Sequence, residues 1–141
     1  MSYKIYTVPA FDCTVKRLRK KYRRIGTDLS RLVNLLADNP IIGTAIPGFG
    51  HQVWKIRLAS VDMQVGKRGG YRVIYALNAQ AQACYLLFMY AKPDKSDVSP
   101  GEIADLLLDL ENYLNSQGDL PKRDNLWADP PVHRWLPALS E

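Results

Sequence analysis

The sequence predicts a small α+β domain, in which a helix hairpin and a C-terminal helix pack on an antiparallel sheet. Runs of β-branched and aromatic residues, typical of strands, alternate with stretches in which apolar residues recur every three to four positions, as in amphipathic helices. The last three strand-like runs are joined by short connections, which favour antiparallel pairing. The 141 residues, 47% of them hydrophobic, can fill one core and are too few for two.

The N-terminal third predicts one strand and two helices. Residues 3–8 form a short β-branched and aromatic run that Pro9 ends. A very basic helix follows, and its apolar positions are Phe11, Val15, Leu18 and Tyr22. Gly26 breaks this helix, and Thr27 can cap a second helix over residues 29–36. The short joint between the two helices predicts an antiparallel hairpin.

Three more strands and one helix complete the predicted order β-α-α-β-β-β-α. The Gly- and Pro-rich residues 43–50 predict a loop, and the strand-like runs that follow are residues 53–59, 71–78 and 83–90. Ser99 and Glu102 form a capping-box pattern around Pro100, which begins the last helix. Gly118 is the expected stop of that helix.

The chain divides into a predicted domain over residues 1–118 and a tail over residues 119–141. The tail contains four prolines and two tryptophans, Trp127 and Trp135. These tryptophans pack either on the domain or in the groove of a partner, and composition leaves both alternatives open.

Basic residues concentrate in the first two thirds of the chain. Residues 1–92 contain fifteen Lys and Arg and four Asp and Glu, a net charge of +11. Residues 93–141 contain four Lys and Arg and ten Asp and Glu, a net charge of −6. The asymmetry predicts a polyanion or an acidic protein as the partner of the basic part.

Neither a membrane span nor secretion is predicted. No stretch approaches about eighteen consecutive apolar residues, and the N-terminus runs into a strand without an apolar signal segment. Cys13 and Cys84 lie in apolar patterns and lack the spacing of metal ligands. The pattern predicts reduced core thiols in a cytoplasmic protein rather than a zinc site or a disulfide framework. No cofactor is predicted.

The candidate functional site is a cationic strand-loop-strand segment over residues 52–78. Its basic residues are Lys55, Arg57, Lys67, Arg68 and Arg72. Period-two alternation places Lys55 and Arg57 on one face of a strand, where neighbouring cations repel, so packing alone would not select them. Gly69 and Gly70 let the backbone approach a ligand closely. The segment predicts phosphate binding, and the alternative is a solvated sheet edge whose charges prevent aggregation.

Three segments in this region resemble the RelE/ParE superfamily of bacterial toxins from toxin–antitoxin modules. They are WKIRL at residues 54–58, GKRGGYRVIY at residues 66–75 and LLFMYAK at residues 86–92, and the second and third resemble the HigB-like branch most. The resemblance covers residues 3–115. It implies an endoribonuclease that needs no metal, cuts mRNA on the ribosome and is held inactive by an antitoxin, itself expected to carry a helix-turn-helix DNA-binding domain.

Two other functions remain open for a chain of this fold. One is a ParE-like inhibitor of a protein target such as DNA gyrase, and the other is a phage-type protein that binds a host factor without catalysis. Neither needs a phosphate-cleaving cluster, so the grouping of Lys55, Arg57 and Arg72 favours the nuclease.

The resemblance also implies roles for the basic residues. Lys55 and Arg57 match the basic pair of the family, and Arg72 matches the arginine of its GYR motif. Arg72 is expected to stabilise transition-state charge, Arg57 to contact the phosphate or the leaving group, and Lys55 to position the phosphate or transfer a proton.

The family places an arginine and then a catalytic tyrosine before the last helix, where this chain has Pro93 and Ser99. Tyr90, Lys92 and Lys95 are therefore the candidates for proton transfer. His51 is a weaker candidate base, because a single loop histidine is more often a surface residue.

Further basic residues are candidates for binding RNA phosphates. They are Lys67, Arg68 and Lys95 together with Lys16, Arg17, Lys20 and Arg24 of the first helix. The basic helix either lies along ribosomal RNA or is covered by an acidic antitoxin, and the two alternatives are compatible.

Overall fold

The computed structural model describes residues 3–63, 69–95 and 97–116, which form a sheet with helices on both faces. The elements are β1 (Lys4–Thr7), α1 (Pro9–Lys21), α2 (Ile25–Asp38), β2 (Thr44–Ala45), β3 (Val53–Leu58), β4 (Tyr71–Asn78), β5 (Ala83–Ala91) and α3 (Pro100–Ser116), with a 3₁₀ turn at Pro40–Ile42. The predicted α+β class and the order β-α-α-β-β-β-α are confirmed, with β2 added. None of these helices is long and apolar enough to cross a bilayer.

The sheet contains five strands in the order β1-β5-β4-β3-β2. β3, β4 and β5 pair in antiparallel fashion, as their short connections predict, whereas β1 pairs with β5 in parallel. The sheet is therefore mixed. A parallel neighbour is possible for β1 because α1, α2 and β2–β4 intervene before the chain reaches β5.

The prediction of a loop throughout residues 43–50 was wrong at its start. Thr44 pairs with Lys55 and Ala45 pairs with Trp54, so β2 forms a short edge strand. The backbone N–H of Ile46 also donates to the Val53 carbonyl at 2.9 Å. Two residues are too few for a periodic signal, and the pairing is decided by the neighbouring strand β3.

The helix hairpin of α1 and α2 covers one face of the sheet. Its largest fully buried side chains include Phe11, Ile25, Leu29, Leu32 and Leu36. Burying each such side chain contributes about 1.5–3 kcal/mol. Tyr71 and Tyr75 of β4 are fully buried, and the ring of Tyr71 meets that of Tyr22 edge to face, with 5.6 Å between the ring centroids.

α3 lies against β5 on the opposite face of the sheet and buries Ile103 and Leu110. The tail after residue 116 lies outside the described residues, as do the predicted stop at Gly118 and the two tail tryptophans.

Two predictions were wrong, namely that Gly26 separates the two helices and that Cys13 is a core thiol. α2 begins at Ile25 and contains Gly26, and its N-cap position, Arg24, has no side-chain cap. Instead, the backbone N–H and Nε of Arg24 donate to the carboxylate of Asp62 at 2.6 and 2.8 Å, so Thr27 is not needed as a cap. Cys13 is exposed on α1, whereas Cys84 is buried as predicted and its burial raises its pKa.

The capping box of α3 is confirmed and supplies a stability prediction. The Glu102 N–H donates to Ser99 Oγ at 3.2 Å, and the Ser99 N–H donates to Glu102 Oε1 at 2.9 Å. Ser99→Ala should lower the free energy of unfolding by about 1 kcal/mol, measured by urea denaturation. Ser116→Ala at the opposite end of α3 is the control and should change the free energy of unfolding by less than about 0.5 kcal/mol. Equal losses in both variants would contradict a specific capping role for Ser99.

Candidate functional site

Arg57, Arg72 and Tyr90 form one row across three strands. The register pairs Arg57 of β3 with Arg72 of β4, and Arg72 with Tyr90 of β5. Directly paired residues point to the same face of a sheet, here the face opposite the helix hairpin. Lys55 lies two residues before Arg57 and therefore points the same way, opposite Ile74.

The row forms part of a concave surface of about 710 Å³. All five residues predicted to be catalytic line it, and they are Lys55, Arg57, Arg72, Tyr90 and Lys92. Leu35 and Ile42, which are 40% and 46% exposed, form an apolar part of the wall. The structure thus brings together residues from three strands and the turn after β5, and their catalytic assignment stays a prediction.

Arg72 lies at the centre of the row and is only 6% exposed. Its Nη1 donates to the Tyr71 carbonyl at 3.2 Å, which orients the guanidinium. Burial, and then the charge of Arg57, lowers the pKa of Arg72, although a guanidinium remains charged at neutral pH. A buried cation beside a second cation makes this a favourable position for an anion.

The pairing of two arginines supplies a second stability prediction. Arg57 is exposed and has no ion-pair partner among residues 3–63, 69–95 and 97–116. Like charges that face each other across strands are destabilising. Arg57→Gln should therefore raise the free energy of unfolding by about 0.2–1 kcal/mol in low salt, and less in high salt because ions screen the repulsion.

Urea denaturation at two salt concentrations measures this effect. Lys4→Gln is the control, because Lys4 is an exposed base of β1 that lies outside the row. A loss of stability in Arg57→Gln, or an equal gain in Lys4→Gln, would contradict specific repulsion between Arg57 and Arg72.

Asp97 is a site residue that the sequence did not indicate. Its Oδ1 lies 3.2 Å from Lys55 Nζ, and it accepts a hydrogen bond from the Val98 N–H at 2.8 Å. The hydrogen bond from the Val98 N–H, and to a smaller extent that from Lys55, lowers the pKa of Asp97. The carboxylate is therefore charged at neutral pH. An ion-paired Lys55 ammonium favours phosphate positioning over proton transfer. The signal in the sequence was an acidic residue just before the capping box of α3.

Tyr90 is buried beside this carboxylate. Its hydroxyl donates to Asp97 Oδ1 at 3.5 Å. Burial first, and then the charge of Asp97, raises the pKa of Tyr90 to about 12, while Arg72 opposes the rise. The hydroxyl is therefore protonated at neutral pH.

The candidates Lys95 and His51 lie outside the concave surface, as do Ser99 and Pro93, the residues that depart from the family pattern. Lys95 Nζ pairs with Glu102 Oε2 at 3.0 Å, near the start of α3. His51 is exposed just before the start of β3 and has a φ of 61°. Arg57 lies near the other end of that strand. Ser99 is occupied by its capping role, and Pro93 is exposed in the turn after β5.

The basic helix and the concave surface face opposite ways. Tyr22 at the end of α1 packs on Tyr71, whose side chain points away from that of its neighbour Arg72. The α1 residues Lys16, Arg17 and Lys20 are exposed. Arg24 is bound to Asp62, and Lys67 and Arg68 lie outside the described residues.

No protein-family model matches the chain. Among solved structures, the chain is similar to a mutant of the E. coli toxin RelE in the free state. The sequences are 17% identical, the TM-score is 0.45, and the match covers 67% of this chain and 88% of that chain.

Proposed function

We propose that this protein is the toxin of a bacterial toxin–antitoxin module and cuts mRNA on the ribosome, with basic side chains stabilising the charge of the transition state. The observation that carries the proposal is the pair Arg57 and Arg72, held side by side in a concave surface with Lys55 and a buried phenol. The resemblance of the surrounding segments to the RelE/ParE superfamily, and to its HigB-like branch, supports it.

The row suits phosphoryl transfer by the ribose 2′-OH of the RNA. That hydroxyl attacks the adjacent phosphorus, the bond to the 5′ oxygen breaks, and the products carry a 2′,3′-cyclic phosphate and a 5′-hydroxyl. Negative charge builds on the non-bridging oxygens during the reaction. The Cβ atoms of two arginines in such a strand pair lie about 4.5–5.5 Å apart. Their guanidinium groups can therefore bind those oxygens together.

Placement on strands makes the arrangement rigid. Arg72 is anchored by its bond to the Tyr71 carbonyl, and the β3–β4 register fixes the backbone of Arg57 opposite it. A preorganised pair of cations loses little free energy in reorganisation when charge develops. The apolar wall at Leu35 and Ile42 offers a surface for a ribose or a base.

The exposed cations of α1 are proposed to make a second contact with a polyanion. They lie on the opposite side of the sheet from Arg72, so one face can receive mRNA while the other lies along ribosomal RNA. The same basic helix is the surface that an acidic antitoxin would cover.

Mapping of RNA ends tests the proposal. Purified protein added to ribosomes programmed with a defined mRNA should create new 5′-hydroxyl and 2′,3′-cyclic phosphate ends inside the message. The double variant R57Q/R72Q should create none, whereas Lys4→Gln should cut as the wild type does. Arrest of translation without new ends would defeat the nuclease function, and inhibition of gyrase supercoiling without cleavage would favour the ParE-like alternative.

A further inference from the structure

The proposed function leaves open which group takes the proton of the attacking 2′-hydroxyl. Neither residue at the corresponding family positions can do so. Pro93 has no ionisable group, and Ser99 lies outside the concave surface, where its hydroxyl accepts the Glu102 N–H in the capping box. The concave surface nevertheless contains a phenol and a carboxylate in contact, Tyr90 and Asp97.

We propose that Tyr90 and Asp97 form a proton-transfer pair, in which Tyr90 Oη takes the proton of the 2′-hydroxyl while passing its own proton to Asp97 Oδ1. This inference rests on the proposed function. Tyr90 is the catalytic residue of the pair because it touches the reacting hydroxyl, and Asp97 is a positioning residue that acts through Tyr90.

The position of Tyr90 supports the first half of the transfer. It is the direct cross-strand partner of Arg72, so its hydroxyl lies on the same face as the guanidinium that binds the phosphate. A 2′-hydroxyl attacking a phosphorus held at Arg72 must therefore approach within the same concave surface. The positive charge of Arg72 also stabilises negative charge that develops on the phenol oxygen.

The contacts of Asp97 support the second half. Its Oδ1 already accepts the Tyr90 hydroxyl at 3.5 Å, and Val98 N–H and Lys55 Nζ hold that oxygen at 2.8 and 3.2 Å. The Asp97 side chain is 66% exposed, so it can then release the proton to solvent. In the part of the chain that the structure describes, the charged groups that face the pair are Lys55, Arg72, Lys92 and Glu102.

The step balances in atoms and charge. The O2′–H bond breaks as a new Oη–H bond forms, and the original Oη–H proton bonds to Oδ1. O2′ bonds to phosphorus, the bond from phosphorus to O5′ breaks, and O5′ takes a proton from water. The hydroxide that remains takes the proton from Asp97, which restores both side chains and the water.

Coupling the two transfers explains why Tyr90 needs a partner. Burial raises the pKa of Tyr90 to about 12, so free phenolate is scarce at neutral pH. Passing the proton on to Asp97 avoids free phenolate. Because the pKa of Asp97 is lowered, its carboxylate is ionised throughout the neutral range. It loses the ability to accept the proton only as the pH falls through that lowered pKa. The rate should therefore be nearly flat between about pH 6 and pH 9, whereas a free phenolate base would give a rise of about tenfold per unit.

Single-turnover cleavage on programmed ribosomes tests the pair. Tyr90→Phe and Asp97→Asn should each be slower by about 10²-fold or more, because positioned proton transfer typically contributes that much. The double variant should be scarcely slower than the slower single variant, since the two residues act as one unit. Asp97→Glu should recover part of the rate. The matched controls Tyr85→Phe and Asp94→Asn, which lie outside the concave surface, should cut at the wild-type rate.

An mRNA with sulfur in place of the 5′ bridging oxygen separates base from acid. A thiolate leaves without a proton, so Tyr90→Phe should keep its defect on this substrate if Tyr90 acts on the 2′-hydroxyl. Restoration of the wild-type rate would make Tyr90 the general acid and overturn the proposal. Wild-type rates in folded Tyr90→Phe and Asp97→Asn proteins would also overturn it, while leaving the nuclease function intact. Absence of cyclic phosphate ends with the wild type would defeat the proposed function itself.

Discussion

Replacing Arg72 with methionine is expected to slow mRNA cleavage by about 10²-fold or more, the cost of losing a transition-state charge contact. Arg72 stands between Arg57 and Tyr90 in the cross-strand row. From that position it is proposed to bind the phosphate on one side and to stabilise charge on the phenol on the other. Methionine retains most of the buried volume and removes only the charge and the donors. The single-turnover rate on programmed ribosomes measures the effect, with thermal melting as the check on folding.

Arg72→Lys separates charge from geometry. Lysine keeps the positive charge but lacks the planar fork that binds two phosphate oxygens, so its rate should lie between those of wild type and Arg72→Met. A folded Arg72→Met protein that cuts at the wild-type rate would place the active centre away from β4.

Replacing Gly70 with alanine should cost both stability and activity. A Cβ at Gly70 would lie 2.5 Å from the Leu58 carbonyl oxygen, and the φ of +20° is one that side chains rarely adopt. The clashing atom is backbone at the end of β3, so it cannot rotate away. We expect the free energy of unfolding to fall by about 1–3 kcal/mol, measured by urea denaturation.

Activity should fall in the same variant because the clash is adjacent to the row. The Leu58–Tyr71 pair that must shift is next to the Arg57–Arg72 pair, and the Gly70 carbonyl also accepts the Lys92 N–H at 3.0 Å. A displacement of about 1 Å in a catalytic group can cost about 10²-fold in rate.

Gly101→Ala is the matched control for Gly70. Among the described residues, a Cβ there would meet only Ser99 Oγ, at 3.9 Å, and Gly101 is in the first turn of α3. Alanine should therefore be neutral or raise stability by up to about 1 kcal/mol. A Gly70→Ala protein with unchanged stability and rate would show that the close approach of β3 and β4 does not require glycine.

The sequence by itself determined the features that depend on local pattern. Helical spacing identified the hairpin and α3, the capping box marked the start of α3, and period-two alternation placed Lys55 and Arg57 on one face of a strand. Such patterns arise within a few residues of chain and need no knowledge of the remaining structure.

The tertiary structure alone decided the features that join distant parts of the chain. β1 became a parallel neighbour of β5, the register placed Arg57 against Arg72, and Asp62 replaced the expected cap at α2. The contact from Asp97 to Lys55 spans 42 residues, and no local pattern encodes it. Strand order and register determine which distant side chains meet, so the cation cluster could be predicted while its carboxylate could not.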